Sequence, residues 1–390
     1  MPTEDANTKL AYYRARISRC ITLPENKKLL LQFDDFNKAN GLKPYTRANY
    51  IREMLPFLEF LPNKNLKNVD KIKREEIAKY INQLDENYKK NTIELYKVGL
   101  IKFFRWLNKG TKPDCVAWLK YIYSNEDIVM PEDILKPEEI QGIVDAGESA
   151  MEKAIISVAF ETGSRIGEFS NIKLKDIEFH ETGATISVSG KTGPRVLFVY
   201  DSLPYLRAWL DTLPIRKDRE SHVWISRSDN PKRHGNRLTH YYINKMLKRL
   251  AKRAEIEKEI WFHLLRHSQA TESAKYLTRA EMCVKFGWSK SSDMPERYTH
   301  LSQIDIQRKE KEKRGLIKET EMVRATAPKV CPRCNATNTQ QAKLCSSCFY
   351  PLDKHTAEQV MLKEKVLNKL LDNPKVKEAL EEAIKNALNP

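Results

Sequence analysis

Apolar residues recur at helical spacing along nearly the whole chain, and the pattern changes to alternation in one place, at ATISVSG and RVLFVY on either side of Gly190-Lys191-Thr192-Gly193-Pro194. That switch restricts the chain to a mainly α fold with a small antiparallel β-sheet, its glycine-rich segment closing a hairpin. Length adds a second constraint. A chain of 390 residues exceeds what one hydrophobic core usually serves, so its helices must be divided among domains. With 41% hydrophobic residues there is material for sizeable cores, yet no run approaches the roughly 18 consecutive apolar residues of a membrane span. The start, MPTEDANTKLAYYRAR, carries charges and no apolar segment of the secretory kind. A soluble, cytoplasmic protein with no membrane partner is expected.

Residues 1–125 form the first expected domain, a small helical bundle. Pro24 and Glu25 open a helix that Gly41 ends; Thr46 is the expected cap of the next, with Pro56 as a kink or stop. Asp70 can cap KREEIAKYINQL, and Asn91 or Thr92 starts a helix in which Tyr96, Leu100, Phe103 and Leu107 recur before Gly110. Tyr45, Tyr50 and Arg52 are polar candidates for phosphate contact on outer faces, where a solvated helix face is the more ordinary role for any one of them. After an acidic link with two prolines, residues 126–318 make a second domain, helical with the hairpin. Residues 329–352 and 353–390 follow as a short cysteine-bearing unit and a tail of two amphipathic helices broken at Asn373-Pro374.

Lys and Arg number 68 against 52 acids, and a net charge of +16 points to a polyanionic partner. Of seven cysteines, four crowd together as Cys331-Pro-Arg-Cys334 and Cys345-Ser-Ser-Cys348. Two C-x-x-C pairs separated by ten residues have the spacing of a tetrahedral four-thiolate zinc site rather than a disulfide framework. So short a segment cannot build a core, so one structural Zn2+ per chain would supply its fold.

Four further signals follow residue 160. In TGSRIGE, Arg165 stands where a loop feeds a helix and Glu168 one turn on, a guanidinium able to hold a phosphate bidentately with a carboxylate to orient it. Lys191 sits at the hairpin tip. In HLLRHSQAT, His263 and Arg266 lie three residues apart on one helix face. Finally Phe286-Gly287-Trp288 precedes ERYTHL, which brings Trp288 and Tyr298 close in sequence. Taken singly, each has an ordinary reading: a surface ion pair, a solvated turn lysine, a decorated helix face, core aromatics.

In this order and spacing they resemble the catalytic domain of the tyrosine recombinase (phage integrase) family, over roughly residues 135–309. The helical first domain is similar in architecture to that family's core-binding domain, and the combination with a compact zinc ribbon looks like some archaeal integrases. The resemblance implies a site-specific recombinase that cuts and rejoins double-stranded DNA through a 3′-phosphotyrosyl intermediate, acting as a homotetramer on specific recombination sites. Tyr298 is then the nucleophile. Arg165 and Arg266 would stabilise charge on the phosphate, His263 would stabilise it or accept a proton, and Lys191 would be the general acid for the departing 5′ oxygen. Trp288 stands where many members have His; it can donate an indole N–H but cannot take up a proton. No carboxylate cluster of the magnesium-binding kind accompanies these motifs, so catalysis without ATP or metal is expected. The same residues leave two other readings open: a type IB topoisomerase-like nicking-closing enzyme, and a DNA-binding regulator whose basic groups only grip phosphate. The tail could pass to a neighbouring subunit or fold back on its own chain.

Overall fold

The chain divides into two compact units, Met1–Ile128 and Val129–Pro390. The computed structural model describes residues 5–61, 69–122, 129–130, 132–190, 193–213, 218–298, 310–311, 313–316 and 328–371.

The first unit is built from α1 (Ala6–Arg19), α2 (Pro24–Ala39), α3 (Pro44–Phe60), α4 (Arg74–Asp85), α5 (Lys90–Leu107) and the short α6 (Asp114–Ala117). Helix α3 is its centre: it packs on α1, α2 and α5 and buries Ile51, Met54, Leu55, Phe57 and Leu58. The acid Asp34 of α2 is buried with them, and Arg47 of α3 meets it with two parallel bonds, Nε to Oδ1 at 2.8 Å and Nη2 to Oδ2 at 2.7 Å. Some expected boundaries move. Helix α3 starts at Pro44 behind Lys43, so Thr46 lies inside its first turn, because proline's fixed φ already suits the first helical position. The helix also runs through Pro56 to Phe60; the packing on both sides outweighs the lost hydrogen bond. Asp70 falls in a 3-10 turn, Val69–Lys71, and α4 begins behind Lys73, whose N–H is taken by the Glu76 carboxylate at 2.6 Å. Helix α5 begins at Lys90, just before the two expected starts.

In the second unit α7 (Pro137–Asp145), α8 (Ala150–Thr162), α10 (Leu203–Asp211), α11 (His240–Arg253), α12 (Phe262–Ala274) and α13 (Arg279–Phe286) accompany a very short α9 (Ile166–Ser170). Helix α8 is apolar nearly all round, as a helix enclosed by others must be, and α7, α10 and α12 pack on it. Ser149 caps its start, its Oγ accepting from Glu152 N at 3.2 Å. The sheet has order β1-β2-β3 and is antiparallel throughout, with β1 (Ile177–Phe179) a strand too short for alternation to reveal. Strands β2 (Ala184–Gly190) and β3 (Gly193–Val199) pair from Ala184 opposite Val199 to Gly190 opposite Gly193. Ala184, Ile186, Leu197 and Val199 turn one face into the core. Lys191 lies outside the described residues.

A small two-stranded sheet, β4 (Lys329–Val330) with β5 (Thr337–Asn338), opens the cysteine segment, and α14 (Lys354–Leu371) follows it. The second expected tail helix lies outside the described residues. The segment rests on the rest of its unit through Gln341, whose Oε1 accepts from the Tyr205 hydroxyl at 2.9 Å and whose amide donates to Asp145.

Phe169 of α9 ties the functional loop to the core, stacked on Trp224 with ring centroids 4.6 Å apart and tilted against Phe262 at 5.1 Å. Phe169→Ala should therefore destabilise this unit by about 3–5 kcal/mol. Urea denaturation followed by the fluorescence of the buried Trp224 will measure it; a change under about 1 kcal/mol would show that the stack is not an anchor.

Candidate active site

Two left-handed glycines set the site. Gly163 ends α8 with φ 54° and Gly287 ends α13 with φ 60°. A Cβ at Gly163 would lie 2.5 Å from Phe286 Cε1, and one at Gly287 would lie 2.9 Å from Arg195 Cδ, so conformation and space both require glycine. Each turn presents helix-end carbonyls, which carry partial negative charge. Arginines take them. Arg266 donates from Nη1 to Gly163 O and from Nη2 to Phe286 O, both at 2.7 Å, while Arg165 Nη2 donates to Gly287 O at 2.8 Å.

Arg165 occupies the cap position of α9, and Glu168 reaches back to it. The carboxylate accepts from Arg165 N at 3.1 Å, from Arg165 Nη1 at 2.9 Å and from Arg195 Nη2 at 2.6 Å. Burial alone would raise the pKa of Glu168, but Arg195 and Arg165 outweigh it and hold the group below the usual carboxylate value. Arg195 also donates to the Lys285 carbonyl. Three guanidiniums thus gather around one acid, leaving a local excess of positive charge. Burial, then the nearby Arg165 and Arg195, weaken the hold of Arg266 on its proton, though a guanidinium keeps its charge in any protein environment.

The nucleophile candidate follows a 3-10 turn, Pro295–Arg297. The Tyr298 ring lies parallel to Trp288 at 5.7 Å and 5°, and Trp288 stacks in turn on Phe286 at 5.0 Å. The Arg266 guanidinium stands 5.5 Å from the Trp288 ring and 5.2 Å from that of Phe286. The Tyr298 hydroxyl is 2.5 Å from His267 Nδ1. Burial pushes the phenol up to about 12, against the opposing pull of Arg266 and Arg297. His263 is exposed one turn before His267, with ring centroids 6.0 Å apart; desolvation, Arg266 and Arg165 lower its pKa.

Of the residues singled out in the sequence, Arg165, Glu168, Arg266, Trp288 and Tyr298 therefore share one cluster, and His263 stands beside it. Arg195 and His267 were missed. A signal for Arg195 was present: it keeps register with Leu197 and Val199 on the inward face of β3, where an arginine needs a buried partner. His267 is four residues after His263, on the same helical face.

The four clustered cysteines form two knuckles of one design. Asn335 N donates to Cys331 O and Phe349 N to Cys345 O, both at 2.9 Å; Cys331 N donates to Ala336 O at 2.9 Å and Cys345 N to Tyr350 O at 2.8 Å. Asn335 and Phe349, each following the second cysteine of its pair, share a left-handed φ of 59°. The sulfurs of Cys331, Cys334, Cys345 and Cys348 all lie within 4.8 Å of one another, with two pairs at 3.6 Å. Ser347 N points at Cys345 Sγ from 3.4 Å. Four sulfurs so placed could bind a metal.

Residues 133–304 match the phage integrase family, and residues 29–113 match the phage integrase N-terminal SAM-like domain. The chain belongs to this family, the tyrosine recombinases. It is 28% identical over 245 residues to tyrosine recombinase XerH of Campylobacter jejuni, covering 58% of this chain and 66% of that protein. It is 26% identical over 263 residues to a tyrosine recombinase of Thermosipho africanus, covering 63% and 84%. Its fold is similar to that of XerH site-specific recombinase bound to difH substrate, with TM-score 0.54 and 18% identity over 82% of this chain and 98% of that one. It is also similar to lambda integrase(75-356) as a dimer bound to a COC' core site, with TM-score 0.54 and 19% identity over 70% and 94%.

Glu168 yields a pH-dependent prediction. Its folded pKa is depressed, so the stability it contributes is present in full above its unfolded value of about 4.3 and is lost as pH falls through the lower folded value. Glu168→Gln leaves Arg195 buried with an unmatched charge and should cost about 3 kcal/mol at neutral pH. In urea denaturation the gap between variant and wild type should close as pH falls below about 4; a gap independent of pH would show that the carboxylate's charge is not what stabilises the cluster.

Proposed function

We propose that this chain is a site-specific DNA recombinase that cleaves double-stranded DNA with Tyr298 and reseals it without ATP or a catalytic metal. The observation that supports this reading best is the convergence of Arg165 and Arg266, each fixed on helix-end carbonyls, beside the stacked phenol of Tyr298. A phosphodiester under in-line attack gathers negative charge on its non-bridging oxygens, and cations fixed beforehand lower that barrier without having to reorganise. Arg165 and Arg266 supply them, with Glu168 aligning Arg165. Arg266 and Arg297 beside the phenol favour loss of its proton. His263, at the cleft edge, binds a phosphate oxygen. Lys191, which follows Gly190 in sequence, protonates the departing 5′ oxygen. Trp288 holds the phenol plane and offers its indole N–H.

The 3′-phosphotyrosyl bond keeps the energy of the broken backbone, so a second 5′ hydroxyl can reseal it. Two DNA sites held in a homotetramer make that exchange recombination, in the cytoplasm among the chromosomal DNA. Tyr298→Phe should abolish the covalent adduct with a nicked suicide substrate, seen on a denaturing gel, while DNA affinity changes less than about twofold, since a large phosphate-contacting interface barely uses the phenol oxygen. An adduct that persists would put the nucleophile elsewhere.

Cys331, Cys334, Cys345 and Cys348 hold one structural Zn2+. A tetrahedron with Zn–S near 2.3 Å places sulfurs about 3.8 Å apart, close to the 3.6 Å of the two nearest pairs. Metal analysis should give about one zinc per chain, and Cys331→Ser should lose it together with local protection of residues 329–352 in hydrogen exchange. Metal-free protein with an ordered ribbon would overturn the assignment.

A further inference from the structure

We infer that His267, through Nδ1, takes the proton from Tyr298 as the phenol attacks. This rests on Tyr298 being the nucleophile. The imidazole nitrogen at hydrogen-bond distance from the reacting oxygen belongs to His267, at 2.5 Å; His263 lies one turn away and is exposed.

Protonation states follow from the surroundings. Burial first, then His263 and Arg266 on α12 and Arg297 beside the phenol, draw His267 down to about 4, so its ring is neutral near neutral pH. Tyr298, pushed up to about 12, keeps its proton. In the tautomer with hydrogen on Nε2, the protonated phenol donates across 2.5 Å to the lone pair on Nδ1. That is the reactant geometry of general-base transfer. So weak a base could not remove the proton in free protein. A phosphodiester seated on Arg165 and Arg266 brings negative charge that counters Arg266 and Arg297 and so raises the affinity of His267 for a proton, while that of the Tyr298 oxygen falls as its bond to phosphorus forms.

The step balances. The Tyr298 oxygen bonds to phosphorus, the bond from phosphorus to the 5′ oxygen breaks, the phenol proton passes to His267 Nδ1 to give imidazolium, and the general acid protonates the 5′ oxygen. On rejoining, His267 returns the proton to the departing tyrosine.

Single-turnover cleavage of a nicked suicide substrate by His267→Ala and His267→Asn, followed from neutral to alkaline pH, tests this. Both variants should form adduct about 100-fold more slowly or worse, with DNA affinity unchanged. Their rates should keep climbing with pH where wild type levels off, and added imidazole should partly restore His267→Ala. Asparagine keeps an acceptor oxygen without a basic nitrogen, so a fast His267→Asn would mean that His267 only positions the ring, and the proton role would fall. It would fall equally if His267→Ala cleaved at the wild-type rate, or if a slow variant kept the wild-type pH profile and ignored imidazole. Tyr298→Phe, run alongside, separates the two readings: an adduct there removes the nucleophile itself, whereas no adduct with a fully active His267→Ala removes only the proton acceptor.

Discussion

A charged side chain only 4% exposed must find partners for its donors or lose several kcal/mol to desolvation, and Arg266 finds them at the ends of two helices. Its bonds to Gly163 O and Phe286 O fasten the end of α8 to the end of α13. Much else hangs from that guanidinium. The loop leaving Gly163 carries Arg165; the turn leaving Phe286 supplies the carbonyl that receives Arg165 and then the indole that bears Tyr298. One residue thereby sets the spacing between Arg165, its own guanidinium and the Tyr298 phenol.

The cluster is positively charged by construction. Arg165, Arg195 and Arg266 surround Glu168, and the helix-end carbonyls give partial compensation without cancelling the charge. Such a site is costly while empty of an anion, which is why each arginine is pinned by neutral acceptors that survive substrate binding. Burial and then the charge surplus depress the histidines, and burial raises the phenol, so the free protein rests with Tyr298 protonated.

Much of this was legible in the sequence because the chemistry is local there. The loop that feeds a helix at Arg165, the spacing of His263 and Arg266, the hairpin at Gly190 and the paired cysteines all declare themselves within a few residues. Boundaries fixed by proline were less so: Thr46 and Asp70 are good caps by composition, yet Pro44 and the Glu76 carboxylate start those helices instead. Arg195 and His267 escaped because their partners, Glu168 and Tyr298, are 27 and 31 residues distant, and only the fold brings them within reach. Strand β1 escaped for a different reason, since three residues cannot display a period.

The three-ring column of Phe286, Trp288 and Tyr298 has a mechanical consequence. Planes inclined by 5° resist being pulled apart, since that forfeits dispersion contact across the whole face, but they resist sliding very little, since offset stacks differ only slightly in energy. The phenol can therefore glide over the indole toward a seated phosphate as a slide on a greased plate, staying dry and aligned along the way. Its travel is confined to two dimensions, and the side chain that provides the plane need never exchange a proton to do so.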